Sequence, residues 1–241
     1  MKKNHFLVVI TVLLSLTFYP ALAQDEEKSA INTGVDIFNR YVWRELDFGF
    51  SPSIQPVLEY AHKSGLTVGC WGAFSTTGTY NEVDLYVGYA FKGFSITITD
   101  YFFPVSGIPA AKPEKYFNYQ NETTGHLYEG SIGWDGPENF PVSLLVGTFF
   151  YGGDKNPEGD QNYSTYAELG YTFETKAGNL EPFIGFTPAE GLYGNTLGVV
   201  NLGVSSSRSI KINDRFELPV TTSLITNPQI SNIYFVFGIT L

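Results

Sequence analysis

Apolar and polar residues alternate along most of the chain, most clearly in residues 31–46, INTGVDIFNRYVWREL. Side chains of a strand alternate between its two faces, so the two phases of this stretch are opposite surfaces. One phase is mostly apolar and the other carries an acid and two arginines: the first reads Val35, Ile37, Asn39, Tyr41, Trp43 and the second Gly34, Asp36, Phe38, Arg40, Val42, Arg44. A soluble protein would bury the apolar face, whereas a membrane barrel would turn it to lipid and enclose the charged one.

The same alternation returns in successive segments separated by turn residues. Single-chain outer-membrane barrels have an even number of such strands, with short turns on one rim and longer loops on the other. The pattern therefore predicts an all-β fold, a transmembrane antiparallel up-and-down β-barrel of about 12 strands. The predicted strands are Thr33–Arg44, Ser53–Ala61, Leu66–Ser75, Glu82–Phe91, Phe94–Phe103, Gly125–Trp134, Val142–Tyr151, Tyr163–Phe173, Leu180–Phe186, Thr196–Ser206, Arg215–Thr226 and Asn232–Leu241.

The connections and aromatic residues fit this interpretation. Short connections such as Lys92-Gly93 and Ser207–Asp214 alternate with a set that includes the long Pro104–Thr124 and Gly152–Asn162. Asp100 is irregular, because it falls in the apolar phase of its strand. Aromatic residues at segment ends predict the girdles that flank the lipid core: Tyr41, Trp43, Tyr60, Tyr89, Phe91, Trp134, Tyr171 and Phe173.

The first 23 residues have the features of a secretory signal peptide. Lys2 and Lys3 precede the apolar run Phe6–Phe18, and Ala21-Leu22-Ala23 is a small-residue cleavage site. The sequence thus predicts a cleaved signal peptide in residues 1–23, a mobile leader in 24–30 and a barrel in 31–241. This arrangement predicts location in the outer membrane of a Gram-negative bacterium.

Charge and cysteine content exclude several classes of function. The chain has 14 Lys and Arg against 24 Asp and Glu, so nucleic acid is not an expected partner. The single Cys70 excludes an internal disulfide, and with two dispersed histidines after residue 23 it also excludes a metal site of the Cys/His type. No phosphate-binding glycine loop is present, so no cofactor is predicted.

Charged residues in the inward phases are the candidate functional residues. A charge facing lipid at mid-bilayer costs about 2–4 kcal/mol for Arg or Lys, so a barrel would turn them inward. Their acid excess predicts a passive, cation-favouring pore for small hydrophilic solutes, surrounded by outer-membrane lipid, with Arg40 and Arg44 at a constriction. The predicted lumen residues are Asp36, Arg40, Arg44, Glu59, Asp84, Glu129, Glu168, Glu181 and Glu217.

Other interpretations stay open at this level. The lumen could be filled by paired charges, or the loop Pro104–Thr124 could fold into it, leaving a structural or surface-binding barrel. Asp154, Asn156, Glu158 and Asp160 match half of a calcium loop, but a solvated acidic loop is the simpler interpretation. An outer-membrane hydrolase would need partners for His62 or His126, and no serine motif flanks either histidine, so no enzyme is predicted.

Both ends of the chain also resemble a known family. GVDIFNRYVWREL followed by SPSIQPVLEY resembles the opening of small Gram-negative outer-membrane porins of the TorF type, in which a Y-x-x-R-G first strand precedes a Q-P second strand. The ending FELPVTTSLITNPQISNIYFVFGITL resembles their last two strands. Glu45 stands where that family often has glycine. The resemblance implies a membrane barrel and leaves its solute open.

Overall fold

The protein is all-β in a computed structural model that describes residues 29–106, 115–176 and 178–241. The predicted signal peptide lies outside these residues. Within them, no helix is long and apolar enough to cross a membrane. The strands are β1 (Ala30–Phe38), β2 (Tyr41–Trp43), β3 (Leu46–Phe48), β4 (Ser53–Ala61), β5 (Leu66–Ser75), β6 (Tyr80–Phe91), β7 (Phe94–Ser106), β8 (His126–Asp135), β9 (Val142–Gly152), β10 (Thr165–Tyr171), β11 (Phe173–Thr175), β12 (Gly178–Thr187), β13 (Gly198–Asn213), β14 (Phe216–Asn227) and β15 (Asn232–Thr240).

Twelve antiparallel strands close into a barrel, which confirms the predicted fold class. Each wall strand pairs with its sequence neighbours, and β10 and β11 together form one interrupted strand beside β12. β1 pairs with β15 to close the sheet. The last residue takes part in this closure, because Val35 and Leu241 exchange two backbone hydrogen bonds of 3.1 and 2.9 Å. A closed sheet has no long free edge to protect.

The two faces of the wall differ in chemistry. Outward side chains are apolar and exposed, as at Ile96 and Ile132, each 58% exposed, and Phe235, 61% exposed. Inward side chains are short and polar over much of the wall: Ser95, Thr97, Thr99, Ser131, Ser205, Thr221 and Ser223 are all buried. This distribution places apolar surface on the outside and polar groups within, the reverse of a soluble barrel with an apolar core.

The first strand is shorter than predicted. β1 ends at Phe38 because the Asn39 side chain takes up the next ladder positions of β15: its Nδ2 donates to the carbonyl of Phe235 (3.1 Å) and its Oδ1 accepts from the amide of Phe237 (2.9 Å). The chain then bends, and β2 leaves the wall. Tyr41 and Trp43, predicted in an outer girdle, are therefore inside the barrel, each 4% exposed.

A second correction concerns the connection predicted at Ser207–Asp214. These residues belong mostly to β13, which runs to Asn213 and leaves only Asp214 and Arg215 in the turn. The turn chemistry of Asn213 is nevertheless present, since its Oδ1 accepts a hydrogen bond from the Arg215 amide (2.8 Å). The β13–β14 hairpin is consequently longer than the alternation indicated.

Candidate functional site: a hairpin inside the barrel

The segment between β1 and β4 forms a small hairpin of its own. β2 and β3 pair from Tyr41↔Phe48 to Trp43↔Leu46, leaving Arg44 and Glu45 as a two-residue turn. Arg44 has a φ of 57°, the left-handed region that two-residue hairpin turns require and that favours glycine. An arginine here costs about 1–2 kcal/mol of backbone energy, so contacts of its side chain must offset the strain.

This hairpin lies in the lumen, because it contacts wall strands on opposite sides of the barrel. Tyr41 and Trp43 pack against one side, and Val42 packs against the other. On the first side the ring partners are Trp71, Tyr80, Tyr101 and Phe149; on the second the neighbours are Phe183, Ile225 and Val236. Aromatic and aliphatic packing on both sides fills the barrel interior at this level.

Arg44, at the tip of the hairpin, is the centre of the site. Its guanidinium donates to both carboxylate oxygens of Glu129 on β8, at 2.7 and 2.8 Å, and to the Tyr193 hydroxyl. The guanidinium carbon lies 4.4 Å from the ring centre of Trp43, 4.7 Å from that of Tyr166 and 5.1 Å from that of Tyr193. We call this group of Glu129, Trp43, Tyr166 and Tyr193 the Arg44 box. Two-point acid contact and stacked rings are the contacts that a guanidinium makes best.

Space for the box depends on a glycine of β9. A Cβ added to Gly147 would lie 2.5 Å from Glu129 Oε1 and 3.0 Å from Arg44 Nη2. Such distances leave no room for a methyl group unless the ion pair moves. Arg44 and Glu129 are each 3% exposed, so the pair is removed from solvent.

Next to Arg44 in the turn, Glu45 is completely buried without a good hydrogen bond. Neither of its carboxylate oxygens has a partner among the described residues. Burial raises the pKa of the Glu45 carboxyl to about 8; the neighbouring Arg44 charge opposes this shift and Glu168 adds to it. Glu168 itself accepts hydrogen bonds from the Tyr166 hydroxyl and from Asn201 Nδ2, the second at 3.4 Å. The tip of the hairpin thus carries, next to Arg44, a buried carboxyl group that no described residue hydrogen-bonds.

The other predicted lumen residues have different surroundings. Asp36, Glu59, Asp84 and Glu168 lie on inward faces: Thr240 donates to Asp36 (2.6 Å), and Asn32 and Tyr86 donate to Glu59 (3.2 and 2.9 Å). Asp84 is completely buried and Glu181 is half-buried. Arg40 is not on the wall but in the bend before β2, 3.5 Å from Asp47.

Glu217 is not enclosed by the barrel. It is exposed on β14, in the part of the β13–β14 hairpin that continues past the neighbouring strand: β14 begins to pair with β15 only at Val220↔Ile239. A charge there meets solvent rather than a lumen, which corrects the prediction for this residue.

The segment with calcium-loop spacing is held by ordinary loop contacts. Asp154 accepts hydrogen bonds from the Ser164 amide (2.8 Å) and hydroxyl (2.7 Å), and Asn156 Oδ1 accepts one from the Asp160 amide (2.8 Å). Glu158 is exposed. In the part of the chain that the structure describes, no three His, Cys, Asp or Glu residues are grouped to hold a metal ion.

With this geometry established, comparison with known proteins gives the family. The sequence model of Gcw_chp, described as a bacterial protein of unknown function, matches residues 23–187. The chain belongs to the Gcw_chp family. The matched region contains the hairpin, Glu129 and Tyr166, but not Tyr193. No curated protein matches the chain. The family description names no porin, so the resemblance to TorF-type porins stays a prediction.

This Gcw_chp member has a second pair of ionisable side chains, Asp100 and His126, on the outer surface of the wall. The ladder between β7 and β8 is continuous from Phe94↔Trp134 to Phe102↔His126, so Asp100 does face outward without a bulge. There it accepts from His126 Nδ1 (2.6 Å) and from the Tyr128 hydroxyl (3.1 Å). His126 is completely buried, and its Nε2 donates to the carbonyl of Tyr116 (2.6 Å). Both partners of His126 are distant in sequence, so no motif around the histidine pointed to them.

Residues 115–124 cover this pair from outside. The Tyr151 hydroxyl donates to the Tyr119 carbonyl (2.6 Å), and Lys155 donates to Asn121 (3.1 Å). A groove of about 400 Å³ between this segment and the wall is lined by Tyr119, Tyr128, Phe150 and Tyr151. The described part of the loop Pro104–Thr124 is therefore on the outside, and the lumen is filled instead by the β2–β3 hairpin. Residues 107–114 of that loop lie outside the described residues.

Proposed function

We propose that this protein is a bacterial outer-membrane β-barrel whose lumen is closed by the β2–β3 hairpin. The observation that carries the proposal is the set of hairpin contacts to strands on opposite sides of the barrel, with the Arg44 tip fixed to Glu129. The exposed apolar outer wall supports the membrane location, because a continuous apolar band on a closed barrel is the surface that lipid covers. Lipid is then the partner of the outer face.

A second candidate is the cation-favouring pore, entered when the hairpin leaves the lumen. Two observations favour it: the inward wall carries short hydroxyl side chains such as Ser131 and Thr221, and its buried acids outnumber its buried arginine. If this candidate is correct, Arg44 closes the pore and does not line a permanent constriction. Small hydrophilic solutes then pass only when the hairpin has left the lumen.

We propose no enzyme activity. Both ring nitrogens of His126 are already engaged, one by the Asp100 carboxylate and one by a backbone carbonyl. Neither nitrogen is free to activate a nucleophile, which general-base catalysis requires.

The test is conductance of the refolded protein in a planar bilayer, after circular dichroism has shown that it is folded. We expect the wild type to be silent and the Arg44→Ala variant to conduct in steps, since the hairpin tip is no longer fixed to Glu129. Arg40→Ala is the matched control, because Arg40 sits at the base of the same hairpin and touches no wall carboxylate. Steady wild-type channels would contradict closure by the hairpin. Extraction of the native protein without detergent would contradict the membrane location.

A further inference from the structure

The Arg44 box has the features of a ligand site occupied by part of the protein itself. We propose that the box is a binding site for a solute carrying a guanidinium group, and that the hairpin's own arginine occupies it in the closed barrel. Such a solute would displace the Arg44 side chain from Glu129 and loosen the hairpin tip, while Trp43 stays as one wall of the box. The inference deepens the proposed closure by naming the chemical class that opens it, but binding to the box does not depend on conductance.

The geometry selects a guanidinium over other cations. A planar guanidinium offers parallel N–H groups to both oxygens of Glu129, as Arg44 does at 2.7 and 2.8 Å. Its flat faces stack on aromatic rings, and three ring centres lie within 5.1 Å of the guanidinium carbon. An ammonium group has neither the fork nor the plane, so it fits the same box less well.

The surrounding hydrogen-bond acceptors also favour a ligand that is rich in N–H donors. Arg44 is the only buried Lys or Arg among the described residues, whereas Glu45, Glu129 and Asp84 are all buried acids. Glu45 adds two carboxylate oxygens without partners at the tip of the hairpin. A solute with a second donor group beside its guanidinium could hydrogen-bond these oxygens. Buried carboxylate oxygens generally have such a partner.

Displacement of Arg44 is feasible because its backbone conformation is strained in the closed barrel. Arg44 occupies the left-handed turn position, and relaxation of the turn at the hairpin tip removes that strain. An intramolecular ligand competes with an effective concentration of about millimolar. A free guanidinium compound should thus need roughly millimolar concentration in the wild type and much less once the arginine side chain is removed.

The experiment is chemical rescue of Arg44→Ala. Ethylguanidinium is added at low millimolar concentration to the refolded variant, and tryptophan fluorescence is followed, because Trp43 forms one wall of the box. We expect saturable binding with a rise in melting temperature, and binding about tenfold weaker for ethylammonium. Sodium chloride at the same ionic strength should have no effect. In Arg44→Ala/Glu129→Gln the binding should be lost.

A wild-type arm keeps the test independent of whether Arg44→Ala folds. Arginine amide added to wild-type protein should increase hydrogen exchange of residues 41–48, and lysine amide should do so far less. Absence of saturable ethylguanidinium binding to folded Arg44→Ala, or equal effects of the arginine and lysine compounds, would overturn the proposal. Wild-type conductance without any ligand would instead overturn the closure and leave the binding result standing.

Discussion

Strand β8 contributes one residue to each of two acid–base pairs, and these residues, Glu129 and His126, are three apart in sequence and on opposite sides of the barrel wall. On the inside Glu129 holds Arg44 of the hairpin, and on the outside His126 holds Asp100 beneath residues 115–124. The inner pair is enclosed by the wall and three rings. The outer pair is covered only by a surface segment, and the Asp100 side chain remains 13% exposed. A carboxylate paired with a basic side chain therefore holds the hairpin in the lumen on one face of the wall and holds a loop segment on the other.

The inner pair should show the largest effect when one partner is removed. Arg44→Met leaves the Glu129 charge buried and unpaired, which costs about 3–5 kcal/mol in buried pairs. Glu129→Leu should cost a similar amount, whereas the double variant should cost less than either single change, because no lone charge remains. The free energy of unfolding in urea, measured in lipid vesicles, tests this prediction.

Arg40→Met is the matched control for that measurement. Arg40 is 35% exposed in its side chain and 3.5 Å from Asp47, a pair worth about 0–1 kcal/mol at most. Additive effects of Arg44→Met and Glu129→Leu would show that the two side chains do not form a coupled pair.

The glycines of neighbouring strands allow a finer test of the inner pair. Gly147→Ala places a methyl group 2.5 Å from Glu129 Oε1, and overpacking of this kind costs about 1–3 kcal/mol. Gly130→Ala on the outward face of β8 meets nothing closer than the Phe150 ring at 3.7 Å and should be nearly neutral. Unfolding of the two variants in urea gives the comparison. Equal free energies of unfolding for the two variants would mean that the Arg44–Glu129 pair can move aside without loss of stability.

The outer pair should give a smaller and local effect. Asp100→Asn weakens the hydrogen bond to His126, a change worth about 1 kcal/mol, and the segment 115–124 can lift to let water in. We expect faster trypsin cleavage after the exposed Lys115, with hydrogen exchange of the inner hairpin unchanged. His62→Ala, in a turn on the other rim, should not alter cleavage. Loss of hairpin protection in Asp100→Asn would show that the two faces are coupled through β8.

Sequence alternation predicted the barrel well because it depends on one physical constraint. Every wall strand of a closed barrel alternates between an apolar outer face and the lumen, so period two marks strands and their outward faces, as at Val83, Leu85 and Val87 of β6. It could not locate the hairpin, since Tyr41 and Trp43 continue the alternation of β1 while lying inside. The available signal was Asn39, a polar residue in the apolar phase, whose side chain ends the strand.

The partners within these two pairs were beyond sequence reasoning for a different reason. Asp100 stood out in an apolar phase, and this irregularity marks a real feature. Its partner depends on the register between β7 and β8, which sets Phe102 opposite His126 and brings the histidine beside the acid. The partner of Arg44 depends likewise on how far the hairpin enters the lumen. Neither the strand register nor the depth of the hairpin is encoded in a local sequence pattern.

The smallest expected effect concerns the pH dependence of the hairpin. The pKa of Glu45, about 8 when buried, lies above its ordinary value of 4.5. Its contribution to the closed state is therefore fully present below pH 4.5 and is lost as the pH rises through about 8, because ionisation leaves a charge buried away from water and, to a lesser degree, beside Glu168. Hydrogen exchange of residues 41–48, corrected for its intrinsic pH dependence, should increase between about pH 5 and 8 and level off above that range. Glu45→Gln should remove this increase while the exposed Glu217→Gln keeps it. Hydrogen exchange of residues 115–124, which the hairpin does not touch, is the internal control. An unchanged increase in Glu45→Gln would assign the pH dependence to another group in the lumen.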